Sequence, residues 1–150
     1  MIAMEHYVDQ LIKDWPQVLY RMGPGTKDTF KVDIDSALLC KRARKLLHRT
    51  VAKILYPAKR MRTDVITVIS FLCTQVTKAT EEDQCKLERL LGYFKLTKGR
   101  KLFIKASGLM QIRAFIDAFF ALHFDSKSHT GANITVGGAV VYVVSRKQNA

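Results

Sequence analysis

Asp117 is the acidic side chain best placed to do chemistry. It closes an apolar, alternating stretch, Met110 to Ile116, and a strand end is a common place from which a carboxylate reaches a metal ion. Cleaving a phosphodiester with two metals requires several carboxylates, which hold ions roughly 3.5 to 4 Å apart so that the attacking and leaving oxygens are both stabilised. Asp125 follows in a loop, where a turn-forming, solvated aspartate is the competing reading. Asp117 is therefore a catalytic and metal-ligating candidate only with partners that this sequence does not supply. His123 and His129 lie six residues apart without a matching ligand at zinc-like spacing, which makes them loop and strand-edge histidines. Ser126 and Ser128 lie near His129 in sequence, but adjacency does not make a nucleophile and a base.

A denser signal lies upstream. Between Cys40 and Thr63 there is no acid, while Lys41, Arg42, Arg44, Lys45, Arg49, Lys53, Lys59, Arg60 and Arg62 are all basic. Lys41, Lys45, Arg49 and Lys53 recur every four residues, so on a helix they form one flank. Such a flank neutralises phosphates and releases condensed counterions, which gives salt-sensitive binding with little sequence preference. The candidate nucleic-acid contacts are Lys41, Arg42, Lys45, Arg49, Lys53, Lys59, Arg60 and Arg62, with RNA or DNA as the expected partner. A solvated face that only keeps the helix soluble is the alternative. The whole chain leans the same way, with 25 Lys and Arg against 13 Asp and Glu.

These residues need elements to hold them. A chain of 150 residues can bury one core and leaves little room for a second. Tyr7, Val8, Leu11, Ile12 and Trp15 predict a short amphipathic helix from Met4 to about Leu19, and Gly23-Pro24-Gly25-Thr26 opens a linker. Leu46, Leu47, Val51, Ile54 and Leu55 predict a helix from about Cys40, ended or kinked by Pro57, which cannot donate to the Lys53 carbonyl. A core helix follows over Asp64 to Val76. Thr80, with Glu81, Glu82 and Asp83 behind it, marks the start of another helix running through Leu87, Leu90, Leu91 and Phe94.

After Gly99 the period becomes extended. Leu102-Phe103-Ile104, a Ser107-Gly108 turn and Met110 to Asp117 suggest a hairpin, and Thr130 to Val136 and Ala139 to Val144 join through Gly137-Gly138. Helices first and strands after argue for α+β. Cys40, Cys73 and Cys85 contain no CxxC pair and suggest free thiols. No apolar run reaches the roughly 18 residues of a membrane span, and Glu5 and Asp9 do not suit a signal peptide. An intracellular location, cytoplasmic or nuclear and not secreted, is expected.

The stretch from Val51 to Gln148 resembles the Pol polyprotein of Copia-type retrotransposons, where reverse transcriptase passes into RNase H. Residues 52–65, AKILYPAKRMRTDV, resemble a "LYLAKRTRPDI" block, and residues 90–98, LLGYFKLTK, resemble "LGYLKGTK". Phe115-Ile116-Asp117-Ala118 resembles "YVDAS", Lys127 to Gly131 resembles "KSHTG", and Ser145 to Gln148 resembles "SSKQ". Pro57 stands where the family favours leucine, Thr63 replaces a proline and Phe119 a serine.

The resemblance implies a reverse-transcriptase thumb or connection region over 40–98, after an N-terminal helix and linker over 1–39. It implies the first three antiparallel strands of an RNase H-like fold over 99–150. It makes Asp117 the first magnesium-binding aspartate of the parent enzyme. The polymerase's paired aspartates and the remaining RNase H carboxylates are expected before Met1 and after Ala150. The expectation is therefore a catalytically inactive remnant with no cofactor of its own, magnesium belonging to the intact parent. Two alternatives are a non-specific nucleic-acid-binding module using 41–62, and an interaction fragment whose unfinished sheet pairs with another chain from an edge beyond Val144.

Overall fold

The computed structural model describes residues 1–103, 111–121, 123 and 125–148. The described chain is α+β: helices α1 (Glu5–Lys13), α2 (Lys41–Arg60), α3 (Ile66–Gln75) and α4 (Glu81–Leu96), then strands β1 (Ile112–Phe119), β2 (His129–Val136) and β3 (Ala139–Lys147). The predicted Ser107-Gly108 turn, together with Ile104 and Met110, lies outside the described residues. Among those that are described, no helix is long and apolar enough to cross a membrane. Cys40, Cys73 and Cys85 are free thiols.

One apolar core joins the helices. Val8, Leu11, Trp15 and Val18 pack with Leu47, Val51 and Ile54 of α2, Ile69, Phe71 and Leu72 of α3, and Leu87, Leu90, Leu91 and Phe94 of α4. Each large side chain buried in this way contributes about 1.5–3 kcal/mol. α1 is shorter than predicted, so Trp15 and Val18 reach the core from the turns beyond it. Phe30, in the predicted linker, is also packed against this core.

The start of α4 follows the predicted signal. Thr80 Oγ1 accepts from Asp83 N at 3.4 Å, and Asp83 Oδ2 accepts from Thr80 N at 2.9 Å, a reciprocal box that satisfies two otherwise orphaned donors. Gly92 has a packing reason inside this helix. A β-carbon there would lie 2.1 Å from the Leu19 carbonyl oxygen, where the chain crosses α4 and Arg21 N donates to Gly92 O.

Pro57 neither ends nor breaks α2, which runs on to Arg60 with Pro57 buried. The cost lies in the Lys53 carbonyl, which has lost its helical donor. Tyr7 of α1 replaces it, its hydroxyl donating to Lys53 O at 2.8 Å. The Pro57 carbonyl then accepts from both Met61 N and Arg62 N, closing the last turn.

The sheet is an antiparallel meander in the order β1-β2-β3. Gly137 and Gly138 turn β2 into β3 with φ of 57° and 83°, the left-handed region glycine enters at no steric cost. A register shift at Ile134/Thr135 bends that pair. Asp117, Gly131 and Ser145 lie opposite one another across the three strands. Val143, on the face they share, packs against the helical core, and β3 lies on α3.

Tyr7→Phe should destabilise the fold by about 1 kcal/mol, because it returns the Lys53 carbonyl to water or to no partner. In a Pro57→Ala background the regained N–H can serve that carbonyl, so urea titrations of the four proteins should show a smaller loss for Tyr7→Phe. Equal losses in both backgrounds would contradict this role for Tyr7.

Candidate nucleic-acid interface

α2 presents its basic residues according to its own period. Leu47, Thr50, Val51, Ile54 and Ala58 are buried, which turns Lys41, Arg42, Lys45, Arg49, Lys53, Lys59 and Arg60 to the exposed side. Thr50 fixes the roll of the helix: its hydroxyl donates to Leu46 O at 3.0 Å and accepts from Trp15 Nε1 at 3.1 Å. Cys40, at the N-cap, contributes no side-chain hydrogen bond, and the first turn holds no acid. Lys41 and Arg42 thus add positive charge to the positive end of the helix dipole, a placement that costs the helix a few tenths of a kcal/mol and favours an anion there.

Seven of the eight predicted contacts lie on the exposed side of α2, in three groups. Lys41, Arg42 and Lys45 form an exposed cationic patch on the first turns of α2, and Lys59 and Arg60 are exposed at its far end. Arg49 and Lys53 share Asp14, at 3.0 and 3.8 Å, in exposed ion pairs worth less than about 1 kcal/mol each, which a phosphate can displace.

Arg62 does not belong to this surface. It is 2% exposed and bonds Asp64 through two nitrogens at 3.0 Å each, while Nη2 also donates to Thr97 Oγ1 at 2.8 Å. Its guanidinium lies over Tyr93 and Phe94, 5.2 and 4.7 Å from the ring centroids. Asp64 also accepts from Tyr93 Oη at 2.8 Å and from Arg100 Nη1 at 3.1 Å. Burial pushes the Asp64 carboxyl up, but the bonds from Arg62 and Tyr93 and the charges of Arg62 and Arg100 outweigh it and hold it below the usual range. The same contact raises the Tyr93 phenol, mainly through burial and then through its bond to Asp64. Arg62 is therefore a buried clamp between the end of α2 and the end of α4. The run of like charges concealed this, because the residue's partners at 64, 93 and 97 belong to other elements.

Asp117 stands on β1 with its carboxylate exposed, and Oδ1 accepts from Ala118 N at 2.8 Å. It borders a cleft of about 680 Å³ between the start of α3 and the sheet, which Asp64, Asn133 and Ser145 also line. The second acid of that cleft, Asp64, is committed to Arg62, Tyr93 and Arg100. Asp125 is held by Lys147 in the loop before β2. Among the described residues no three His, Cys, Asp or Glu side chains gather where they could hold a metal. Among the described residues, Asp117 has no set of carboxylates beside it that fits a magnesium pair.

His123 lies in the loop between β1 and β2 and His129 opens β2, as their spacing suggested, but both are enclosed. His123 and His129 are both buried, and His123 Nε2 lies 3.0 Å from His129 Nδ1, whose Nε2 lies 2.6 Å from Ser145 Oγ. The rings pack on Phe30 and Phe71, with His123 stacked on Phe71 at 6.2 Å. The bonds tie the loop to β2 and β3, and the rings' packing on Phe30 and Phe71 docks them onto the helical core. Burial, then Lys147, lowers the basicity of His123 despite an opposing pull from Asp125. Burial, then His123, lowers that of His129. Strand register could have paired His129 with the Ser145 side of β3, but the approach of His123 depends on the loop closing back, His123 N donating to Lys127 O.

Compared with protein-family models, curated proteins and solved structures, the chain has no match.

Arg62→Met should cost about 1.5–3 kcal/mol in urea unfolding, because it removes the bidentate bond to Asp64 and the bond to Thr97 Oγ1. An effect within a few tenths would contradict the clamp. The histidine pair sets an acid limit. Both groups are neutral in the fold, so their contribution is complete above the unfolded value of about 6.5 and is lost as pH falls from there through the depressed folded values, where the unfolded chain binds more protons. Stability measured between pH 8 and 5 should be flat and then decline, and His129→Gln should make that decline shallower. An unchanged acid slope in His129→Gln would refute the assignment.

Proposed function

We propose that the chain is a Copia-type Pol segment that corresponds to the end of reverse transcriptase running into RNase H, and that it grips nucleic acid through α2 without catalysing phosphoryl transfer by itself. The observation that carries the binding reading is the cationic row on α2. Lys41, Lys45 and Arg49 follow one another at i, i+4 on an exposed face, Arg42 lies beside them, and the helix holds no acid. A rise of about 6 Å per four residues puts successive cations near the spacing of successive phosphates along a nucleic-acid strand. The contacts so made are to backbone oxygens, so binding is nearly blind to sequence.

The retroelement reading adds a context for that grip. The order of the elements, a helical body and then an antiparallel meander whose first strand carries Asp117, supports a connection region followed by RNase H-like strands. The segment is inactive as a nuclease because Asp117 has no uncommitted acid beside it among the described residues. Its role is to hold the template-primer backbone.

Fluorescence anisotropy with an end-labelled RNA–DNA hybrid tests the grip. Three to four phosphates neutralised predict a fall in affinity of roughly thirtyfold to a hundredfold between 50 and 200 mM salt. Lys41→Gln, Arg42→Gln and Lys45→Gln together should weaken binding about tenfold or more and reduce the salt slope by about one per charge removed. Lys59→Gln with Arg60→Gln, at the far end of α2, is the comparison and should do less. Affinity indifferent to salt, or unmoved by the triple substitution, would overturn the reading.

A further inference from the structure

We propose that β1 is the seam of a symmetric dimer, in which its free edge pairs antiparallel with β1 of a second copy, centred on Phe115, to join two three-stranded sheets into one of six strands. This pairing is independent of whether α2 holds nucleic acid. Among the described residues the strand order leaves β1 hydrogen-bonded to β2 on one side only. All eight of its residues are exposed, with Ile116 at 76% and Phe115 at 58%. Unpaired strands of soluble proteins are usually protected by lysine, proline, a bulge or a covering loop. The charges β1 does carry, Arg113 and Asp117, are of opposite sign and four residues apart.

That spacing selects the occupant and the register. When a strand pairs with its own copy about Phe115, Arg113 of each chain faces Asp117 of the other, Phe115 faces Phe115, and Ala114 faces Ile116. Both charges are matched, and the other pairs between Ile112 and Ala118 are apolar. Moving the centre to Ala114 or Ile116 sets Arg113 against a phenylalanine and leaves Asp117 without a cation.

The backbone has the right parity. Gln111 O accepts from Gly137 N at 2.9 Å, directed toward β2, so by strand alternation the N–H and C=O groups of Ile112, Ala114, Ile116 and Ala118 point to the open edge. In the centred register these are the residues that would exchange hydrogen bonds. Phe115 then falls at a non-bonded pair, where Cα atoms approach to about 4.5 Å and side chains touch most closely.

The two-fold axis stands normal to the sheet, so both helical bodies lie on the same face. Phe115 and Phe119 share that face with Asn133 and His129, beyond the cover of α3, and would fill the gap between the bodies. The edge beyond Val144 was the one expected to be open, and among the described residues β3 is indeed paired on one side only; but β3 lies on α3 with several of its residues buried or half-buried, whereas every residue of β1 is exposed.

Sedimentation velocity of the nuclease-treated full chain, from low micromolar to a few hundred micromolar, should show a monomer–dimer equilibrium. Arg113→Asp or Asp117→Arg alone sets like charges opposite each other twice per dimer and should weaken association about tenfold. The two together restore the match and should recover it. Phe115→Cys, with Cys40 and Cys85 replaced by serine, should form an intermolecular disulfide under mild oxidation, and Ile116→Cys in the same background should not. A chain monomeric at every concentration, open-ended oligomers, or a double exchange no better than the single ones would overturn the proposal, including the case in which the edge serves a different protein.

Discussion

α3 has two partners to satisfy at once, and this constraint organises the rest of the molecule. It meets α2 and α4 on one side and β3 on the other. A helix in that position keeps only a narrow polar stripe, Thr67, Ser70 and Thr74, while Ile66, Val68, Ile69, Phe71 and Leu72 are buried around most of its circumference. Phe71 shows both duties in one side chain: it lies in the helical core and also carries the stacked ring of His123. Through α3, the orientation of α2 and the position of the sheet are linked. The exposed row of cations and the exposed strand β1 are the surfaces left after α3 has been covered.

Charge in this chain takes its meaning from burial. Arg60 and Arg62 are two residues apart, yet one is exposed and the other is enclosed by an acid, two rings and a threonine. Enclosing a guanidinium is tolerable only because its bonding capacity is nearly filled by bidentate and hydroxyl partners. Arg62 is thereby lost to any external phosphate, and the binding surface moves toward the first turns of α2. The same clamp occupies Asp64, the acid that shares the cleft with Asp117. One buried interaction thus both narrows the proposed nucleic-acid surface and leaves the cleft short of a free carboxylate.

What the sequence made legible was local. The Thr80 capping box, the Gly137-Gly138 turn, the apolar stripe of α2 and the change from helical to extended period after Gly99 are each decided within a few residues of chain. What it concealed depended on distant partners. Tyr7 rescues the carbonyl that Pro57 strands, 46 residues away. His123 and His129 gain their burial from Phe30 and Phe71, which no spacing rule connects to them. Among the site residues, the exposure of Lys41, Arg42 and Lys45 followed from helical period, whereas the enclosure of Arg62 required the end of α4 to arrive beside it.

On the proposed reading, nucleic acid meets the first turns of α2 and not the clamp at its end. Amide chemical-shift mapping of the nitrogen-15-labelled chain during titration with a short RNA–DNA hybrid reads this directly. The largest changes should fall on residues 41–49, with residues 62–64 and 93–97 nearly still. Changes centred on Arg62 and its partners, or confined to the sheet, would contradict the account.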